Sequence, residues 1–137
     1  TAIDFSPAAV TAARSVLGPW AARVVEADFF TFAPPKPLDL IYERAFLCAL
    51  PRQMWPQLAA RWAALLAPGA LLAGFFYVDD APKGPPFGIT PDALAVLLTP
   101  YFERIEDQAV ADSIEVFAGK ERWQIWRRKS DTVSACD

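Results

Sequence analysis

The chain has 137 residues and a mass of 15.1 kDa, which is the size of one ordinary domain. Hydrophobic residues make up 54% and charged residues 21%, a balance typical of folded globular proteins and unlike that of disordered ones. The net charge of −3 offers no basic surface for a phosphate backbone, so no nucleic-acid partner is expected. Because the chain has no histidine, Ser-His-Asp and Cys-His catalysis are excluded, and no metal site is expected.

Predicted strands and helices alternate along the chain. Residues 2–5 are predicted to form a short strand, and Ser6-Pro7 is typical of a helix N-cap followed by proline at the first helical position. The later predicted elements are a helix ending at Gly18-Pro19, strands over 23–27 and 38–42, a helix over 51–67, a strand over 71–78, a helix starting at Thr90-Pro91, and closing strands over 102–110 and 122–128.

One uncharged stretch, residues 62–78, approaches the length of a membrane-spanning helix. Pro68-Gly69 divides it into two halves, and the first half belongs to an amphipathic helical pattern that includes Trp55, Leu58 and Trp62. We therefore predict a helix followed by a buried strand, and no membrane partner. A cytoplasmic location is the default for a chain without targeting features.

The order of the elements predicts an α/β fold with a mostly parallel sheet that is finished by an antiparallel pair. Ligands of such sheets bind at the carboxyl ends of the strands. Polar residues end three of the predicted strands, namely Asp4, Asp28 and the segment Tyr42-Glu43-Arg44. The sequence therefore predicts a ligand site at one edge of the sheet.

Two of these strand-end residues suit a nucleoside. Asp4 can accept hydrogen bonds from both hydroxyls of a ribose. Asp28 can accept from the exocyclic amine of an adenine while Phe29 packs against the base. The plainer alternatives are that Asp4 caps a helix and that Asp28 belongs to a turn. The placement of both aspartates at successive strand ends favours the ligand roles.

At these positions the sequence resembles the thiopurine S-methyltransferase family, which includes plant and bacterial thiol and halide methyltransferases. The resemblance is carried by Asp4-Phe5-Ser6-Pro7, by residues 27–32 and 38–51, and by Gly84-Pro85-Pro86-Phe87, and it extends to about Lys129. The resemblance implies the Rossmann-like sheet of class I methyltransferases, which are enzymes that use S-adenosyl-L-methionine. Residues 1–129 would form a partial methyltransferase domain, and residues 130–137 a C-terminal tail.

The resemblance also implies roles for individual residues, with no catalytic acid or base and no metal ligand. The implied cofactor contacts are Asp4, Phe5, Asp28, Phe29, Glu43 and Arg44. The implied substrate contacts are Phe46, Pro86 and Phe87.

Simpler readings of the same region remain open. Arg44 could pair with Glu43 or Asp39 at the surface, and the prolines of the loop could only stiffen it. Cys48 is more typical of a small buried apolar residue than of a nucleophile, since no cation lies near it in sequence. The other cysteine, Cys136, is next to the end of the chain, and two cysteines so far apart form no metal motif.

The chain departs from the family at its start. It has no initiator methionine and no glycine-rich cofactor loop, and we expect it to begin inside a strand of a longer protein. The strand that the family places between those of Asp4 and of residues 38–42 is missing, as is the family's N-terminal helical cover. We therefore expect this chain to be poorly soluble or molten alone, and to be rescued by an upstream segment.

The leading functional hypothesis is a fragment of a methyltransferase, inactive alone, that acts on a small soft nucleophile such as a thiol, thiopurine or halide. Methyl transfer needs alignment more than acid–base groups, which agrees with the absence of histidine. Two alternatives are another Rossmann-like nucleotide-binding domain, such as that of a dinucleotide-dependent oxidoreductase, and a non-catalytic relic that keeps the fold as an interaction module. The sequence does not reveal the oligomeric state.

Overall fold

A computed structural model describes residues 1–131 of the chain. The described residues divide into two compact units, the first over residues 1–35 and the second starting at residue 36, and their strands form two separate sheets. Cys136 and positions 132–137 of the predicted tail lie outside the described residues.

The first unit is a small parallel β-α-β arrangement. Strand β1 covers Ala2–Asp4, helix α1 covers Pro7–Val16, a 3-10 helix covers Gly18–Arg23 and strand β2 covers Val24–Glu26. The predicted N-cap is confirmed, because the Ser6 hydroxyl accepts a hydrogen bond from the Ala9 amide at 3.3 Å. Since β1 and β2 run parallel, their carboxyl ends lie side by side.

The second unit contains a four-stranded sheet with two helices. In chain order its elements are β3 (Leu38–Arg44), α2 (Trp55–Leu65), β4 (Leu66–Tyr77), α3 (Pro91–Leu98), β5 (Phe102–Ala109) and β6 (Glu121–Arg128). The strand order is β3-β4-β6-β5, in which β3 and β4 are parallel while β6 is antiparallel to both of its neighbours. The predicted α/β class, with parallel strands and an antiparallel closing pair, is confirmed.

The core of the second unit lies where α2 packs on β4. Side chains at alternate positions of β4 are buried, as expected for a strand with one face against helices. The largest apolar side chains with no more than 1% exposure are Leu58 and Trp62 of α2, Leu72 and Phe76 of β4, Leu94 and Leu98 of α3, Phe102 and Trp126.

Two predicted boundaries around α2 were wrong. A 3-10 turn occupies Arg52–Met54, so the α-helix starts four residues later than predicted. Strand β4 begins at Leu66 and not at residue 71 as predicted, because Leu66 pairs with Leu38 of β3. Pro68-Gly69 therefore lies within the strand, in its irregular first part. The stretch 62–78 is thus the end of a helix and a strand, and no helix within residues 1–131 is long and apolar enough to cross a membrane.

Strand β3 leaves one edge of the second sheet unpaired among the described residues. Leu40 and Tyr42 on this strand are 55% and 56% exposed. An apolar edge strand is a template for pairing with another chain, so we expect the 137-residue chain to self-associate at micromolar concentrations.

Sedimentation velocity would test this expectation with a double variant, Leu40→Lys with Tyr42→Lys, because lysines on an edge strand oppose pairing. We expect the double variant to sediment as a smaller species than the parent chain. The matched control is Val96→Lys, which alters an exposed apolar residue on α3 and should leave self-association unchanged. A parent chain that is monomeric at these concentrations would contradict the expectation.

Candidate functional site

The predicted nucleoside residues of the first unit lie at the adjoining ends of β1 and β2. The Ala27 amide donates a hydrogen bond to the Asp4 carbonyl at 3.0 Å, which ties the two strand ends together. The Asp4 carboxylate accepts from the Ser6 amide through Oδ1 at 2.8 Å, and the Asp28 carboxylate accepts from the Phe30 amide in the same way. Asp28 thus has the plainer turn role. Asp4 does not cap the helix, because Ser6 is the N-cap residue and Asp4 accepts from its amide. Both carboxylates use only Oδ1 in these contacts.

Both carboxylates are exposed, so each has a second oxygen that a ligand hydroxyl or amine can reach. The neighbouring aromatic residues differ in their environment. Phe5 is 74% exposed, whereas Phe29 is half-buried and lies edge-on to Phe30, with 5.9 Å between the ring centroids. An exposed carboxylate beside an exposed ring suits the polar and planar parts of a nucleoside.

In the second unit, Glu43 lies at the end of β3 with its side chain directed into the protein. The residue is 3% exposed, and its Oε1 accepts from the amides of Phe46 at 2.8 Å and Leu47 at 3.1 Å. These bonds hold the chain where it turns away from the sheet at Ala45, whose φ is 55°. Glu43 therefore fixes the start of the segment that carries the predicted substrate residue Phe46.

The other oxygen of Glu43, Oε2, is buried without a hydrogen-bond partner among the described residues. Gly74 of β4 makes room for this side chain, because a Cβ at position 74 would lie 2.4 Å from the Glu43 carbonyl oxygen and 3.0 Å from Oε2. The pKa of Glu43 is raised to about 7, chiefly by burial and to a smaller extent by the charge of Glu121, against the lowering effect of the two amides.

Arg44, by contrast, is exposed on the opposite side of the strand. Its guanidinium carbon lies 4.8 Å from the centroid of the Phe75 ring, and Phe75 in turn contacts Tyr42 and Trp123. Among residues 1–131, no ion pair involves Arg44, so Arg44 does not pair with Glu43 or Asp39. Arg44 and the three rings form a cationic and aromatic surface on one face of the sheet.

The loop that carries Pro86 and Phe87 meets the segment after β3. The Phe87 amide donates to the Cys48 carbonyl at 2.6 Å, so this predicted substrate residue lies against the segment that follows Phe46. Burial raises the pKa of the Cys48 thiol to about 11, so the thiol is neutral near pH 7, in keeping with the prediction that it is a packing residue.

Three groups of contacts in this region, around Trp55, Arg52 and Asp79, were not predicted from the sequence. The Trp55 indole donates to the carbonyls of Leu47 and Leu50, at 2.9 and 3.2 Å. Arg52 donates to three carbonyls of the loop after β4, and Asp79 accepts from the Tyr77 hydroxyl and the Lys120 ammonium. These two donors lower the pKa of Asp79 to about 2.

No short-range pattern could have revealed the contacts of Arg52 and Lys120, because their partners are 29 to 41 residues away. Within the described part of the chain, no group of three or more cysteine, aspartate or glutamate residues could hold a metal ion.

Comparison with solved structures defines the class of fold. The N-methyltransferase NodS from Bradyrhizobium japonicum WM9, solved in complex with S-adenosyl-L-homocysteine, matches 93% of this chain and 65% of its own with a TM-score of 0.75 and 18% sequence identity. The chain thus has the α/β fold of S-adenosylmethionine-dependent methyltransferases. Its sequence matches the profile of the thiopurine S-methyltransferase family over residues 1–133, so the chain belongs to that family.

Two curated relatives indicate how much of the family the chain covers. It is 47% identical over 68 residues to a thiopurine S-methyltransferase of Vibrio cholerae serotype O1, a match that covers 48% of this chain and 30% of that protein. It is 31% identical over 105 residues to the probable thiol methyltransferase 2 of Arabidopsis thaliana, which covers 75% of this chain and 46% of the relative. The chain therefore spans less than half the length of these relatives.

The buried carboxyl of Glu43 makes stability depend on pH. Its folded pKa of about 7 exceeds the ordinary value of 4.5, so between these values the folded state binds more protons than the unfolded state. Stability therefore falls as pH rises, and we expect a loss of about 2–3 kcal/mol between pH 5 and pH 8. Urea unfolding of the complete protein at both pH values measures it, and Glu43→Gln should flatten the dependence.

The matched control is Glu103→Gln, which alters an exposed carboxylate on β5 and should keep the pH dependence of the parent. Asp79 does not interfere, since its lowered pKa places its effect on stability at more acid pH. If the complete protein were equally stable at pH 5 and pH 8, or more stable at pH 8, the assignment of a protonated Glu43 would be wrong.

Proposed function

We propose that the complete protein is an S-adenosyl-L-methionine-dependent methyltransferase whose acceptor is a small soft nucleophile such as a thiol, thiopurine or halide. The observation that carries this proposal is membership of the thiopurine S-methyltransferase family over residues 1–133. The fold supports it, because a neighbour with the same fold is a methyltransferase solved with S-adenosyl-L-homocysteine. The relative named a probable thiol methyltransferase supports a sulfur acceptor.

The first unit would hold the nucleoside half of the cofactor. Asp4 and Asp28 are exposed carboxylates at adjoining strand ends, and each has an oxygen to offer beyond its turn hydrogen bond. We assign the ribose hydroxyls to Asp4 and the adenine amine to Asp28. Phe5 and Phe29 would cover the planar part of the ligand. The bound cofactor would supply an activated methyl group on a sulfonium.

The second unit would provide the acceptor side. The loop with Pro86 and Phe87 lies against the segment after Phe46, and these residues are the proposed walls of an apolar acceptor site. Arg44 beside its aromatic ring is the proposed partner for an anionic acceptor. Glu43, whose Oε1 holds the amides of Phe46 and Leu47, would serve the site by fixing this segment.

Neither buried titratable group of this segment suits a general base. Glu43 is 3% exposed and its carboxyl faces inward, while the raised pKa of Cys48 keeps the thiol neutral. Without a base, the site should favour acceptors that are already anionic near neutral pH and lose water readily. Alignment of two reactants in a dry site can itself lower the barrier by roughly 7–11 kcal/mol.

The cofactor assignment predicts that Asp4→Ala weakens binding of S-adenosyl-L-homocysteine to the complete protein. Hydrogen bonds to a charged acceptor contribute about 1.5–3 kcal/mol each, so a loss of about 10- to 100-fold is expected. Asp28→Ala should weaken binding by less. Titration calorimetry measures both, with Asp112→Ala, an exposed carboxylate in the second unit, as the control. Parent-like affinity in both variants would refute the placement of the site.

The acceptor assignment predicts preferential methylation of a small thiol or iodide, with a rate that rises with pH through the pKa of the thiol. A labelled-methyl assay of the complete protein against thiols, halides, phenols, amines and macromolecules would measure the preference. Arg44→Ala should impair anionic acceptors more than neutral ones, whereas Arg127→Ala, an exposed arginine on β6, should impair neither. Preference for an amine or a macromolecule would overturn the assignment.

A further inference from the structure

The loop between β4 and α3, residues 79–88, is closed at its base and rich in proline. Val78 and Ile89 form an isolated parallel bridge that brings the two ends of the loop together. Three of the ten residues are prolines, which have no amide hydrogen and cannot donate to carbonyls of the loop. Carbonyls of this loop are instead bonded by a donor from outside it.

Arg52 supplies such donors from the 3-10 turn before α2. Its Nη1 donates to the Pro82 carbonyl at 2.8 Å, and its Nη2 donates to the carbonyls of Ala81 at 2.7 Å and Gly88 at 3.0 Å. One planar group thus binds both the early and the late part of the loop. A lysine at this position could not do so, because its single ammonium lacks the fixed fork of a guanidinium.

The same guanidinium lies between two aromatic rings. Its carbon is 5.6 Å from the Trp55 ring centroid and 5.5 Å from that of Phe87. Trp55 is fixed in turn, since its indole donates to the carbonyls of Leu47 and Leu50. Arg52 therefore links the segment after β3 to the loop ring that we assign to the acceptor side.

Other contacts also hold the loop, and the backbone of Phe87 itself is held by the hydrogen bond from its amide to the Cys48 carbonyl. Asp79 is fixed at the start of the loop by Tyr77 and Lys120, and Gly88 lies so close to it that a Cβ at position 88 would be 2.4 Å from the Asp79 Cβ. These contacts secure the two ends of the loop. Arg52 is the side chain that bonds to carbonyls within it and also contacts the Phe87 ring.

We propose that Arg52 is a positioning residue for methyl transfer. Arg52 sets the path of the loop 79–88, and the path of the loop sets the place of Phe87 in the acceptor site. The inference rests on the proposed function for its consequence in catalysis. Its structural part, that Arg52 orders the loop, stands apart from any activity and can be measured separately.

The test compares Arg52→Ala and Arg52→Lys with the parent in the protein expressed from its complete gene. Hydrogen–deuterium exchange reports on loop order through the amides of Phe87 and Ile89, which should exchange at least about tenfold faster in both variants. Protection of β4 and β6 should be unchanged, which distinguishes local loosening from unfolding. Arg52→Lys keeps the charge and the aliphatic stem, so it remains informative if the alanine variant does not fold.

The kinetic readout separates acceptor from cofactor. We expect the KM for a small thiol to rise about tenfold or more, since small misplacements of binding groups have large effects, while the affinity for S-adenosyl-L-homocysteine changes by less than about twofold. The matched control is Arg104→Ala on β5, whose guanidinium also lies over a tryptophan, 5.8 Å from the Trp126 ring centroid, and which should change neither readout.

Each outcome decides one part of the inference. Unchanged loop exchange would overturn the ordering role of Arg52, whether or not the protein transfers methyl groups. Faster exchange with an unchanged acceptor KM would overturn the link to the acceptor site. Absence of methyl transfer by the parent protein with any acceptor would refute the proposed function, while the exchange measurement would still decide whether Arg52 orders the loop.

Discussion

Burial of strand β4 is the constraint on which the second unit depends. Its residues 66–77 carry no charge, so exposure of this strand to water would be costly. The strand is buried by α2 on one face and by hydrogen-bonded neighbours, β3 and β6, on its two edges. This arrangement brings the end of β3, with Glu43 and Arg44, alongside the end of β4 and the loop that follows it.

In the region beside these strand ends, side chains form hydrogen bonds with backbone amides and carbonyls. Glu43 accepts from two amides, Trp55 donates to two carbonyls and Arg52 donates to three. Such contacts fix the path of the chain around the proposed acceptor site without supplying it with a general base. They are compatible with a reaction that needs alignment of two reactants and exclusion of water more than proton transfer.

The sequence was informative where the physical cause of the structure is local. Ser6-Pro7 and Thr90-Pro91 start helices as predicted, since a capping hydroxyl and an N1 proline act within one helical turn. The α/β class followed from the order of the elements. Pro68-Gly69 was misleading as a boundary, because pairing of Leu66 with Leu38 extends β4 back across the turn signal.

The difference between local and long-range causes also explains which features of the candidate site could be predicted from the sequence. Residues near strand ends were identifiable because a strand ends where its apolar run stops. Asp4 is the last residue of β1, and Asp28 follows the end of the adjoining β2 by two residues. The inward direction of Glu43 was not foreseeable, since it requires the space left by Gly74 on a neighbouring strand. The role of Arg52 depends equally on a loop about 30 residues further along the chain.

The contacts of Arg52 have a consequence for how this protein can change over evolutionary time. They involve carbonyl oxygens, which every amino acid has, so they do not depend on the side chains present at positions 81 and 82. Mutations at these positions can therefore alter the chemical surface of the loop while its path is inherited unchanged. A single arginine thereby separates the selection acting on the shape of the loop from the selection acting on its composition.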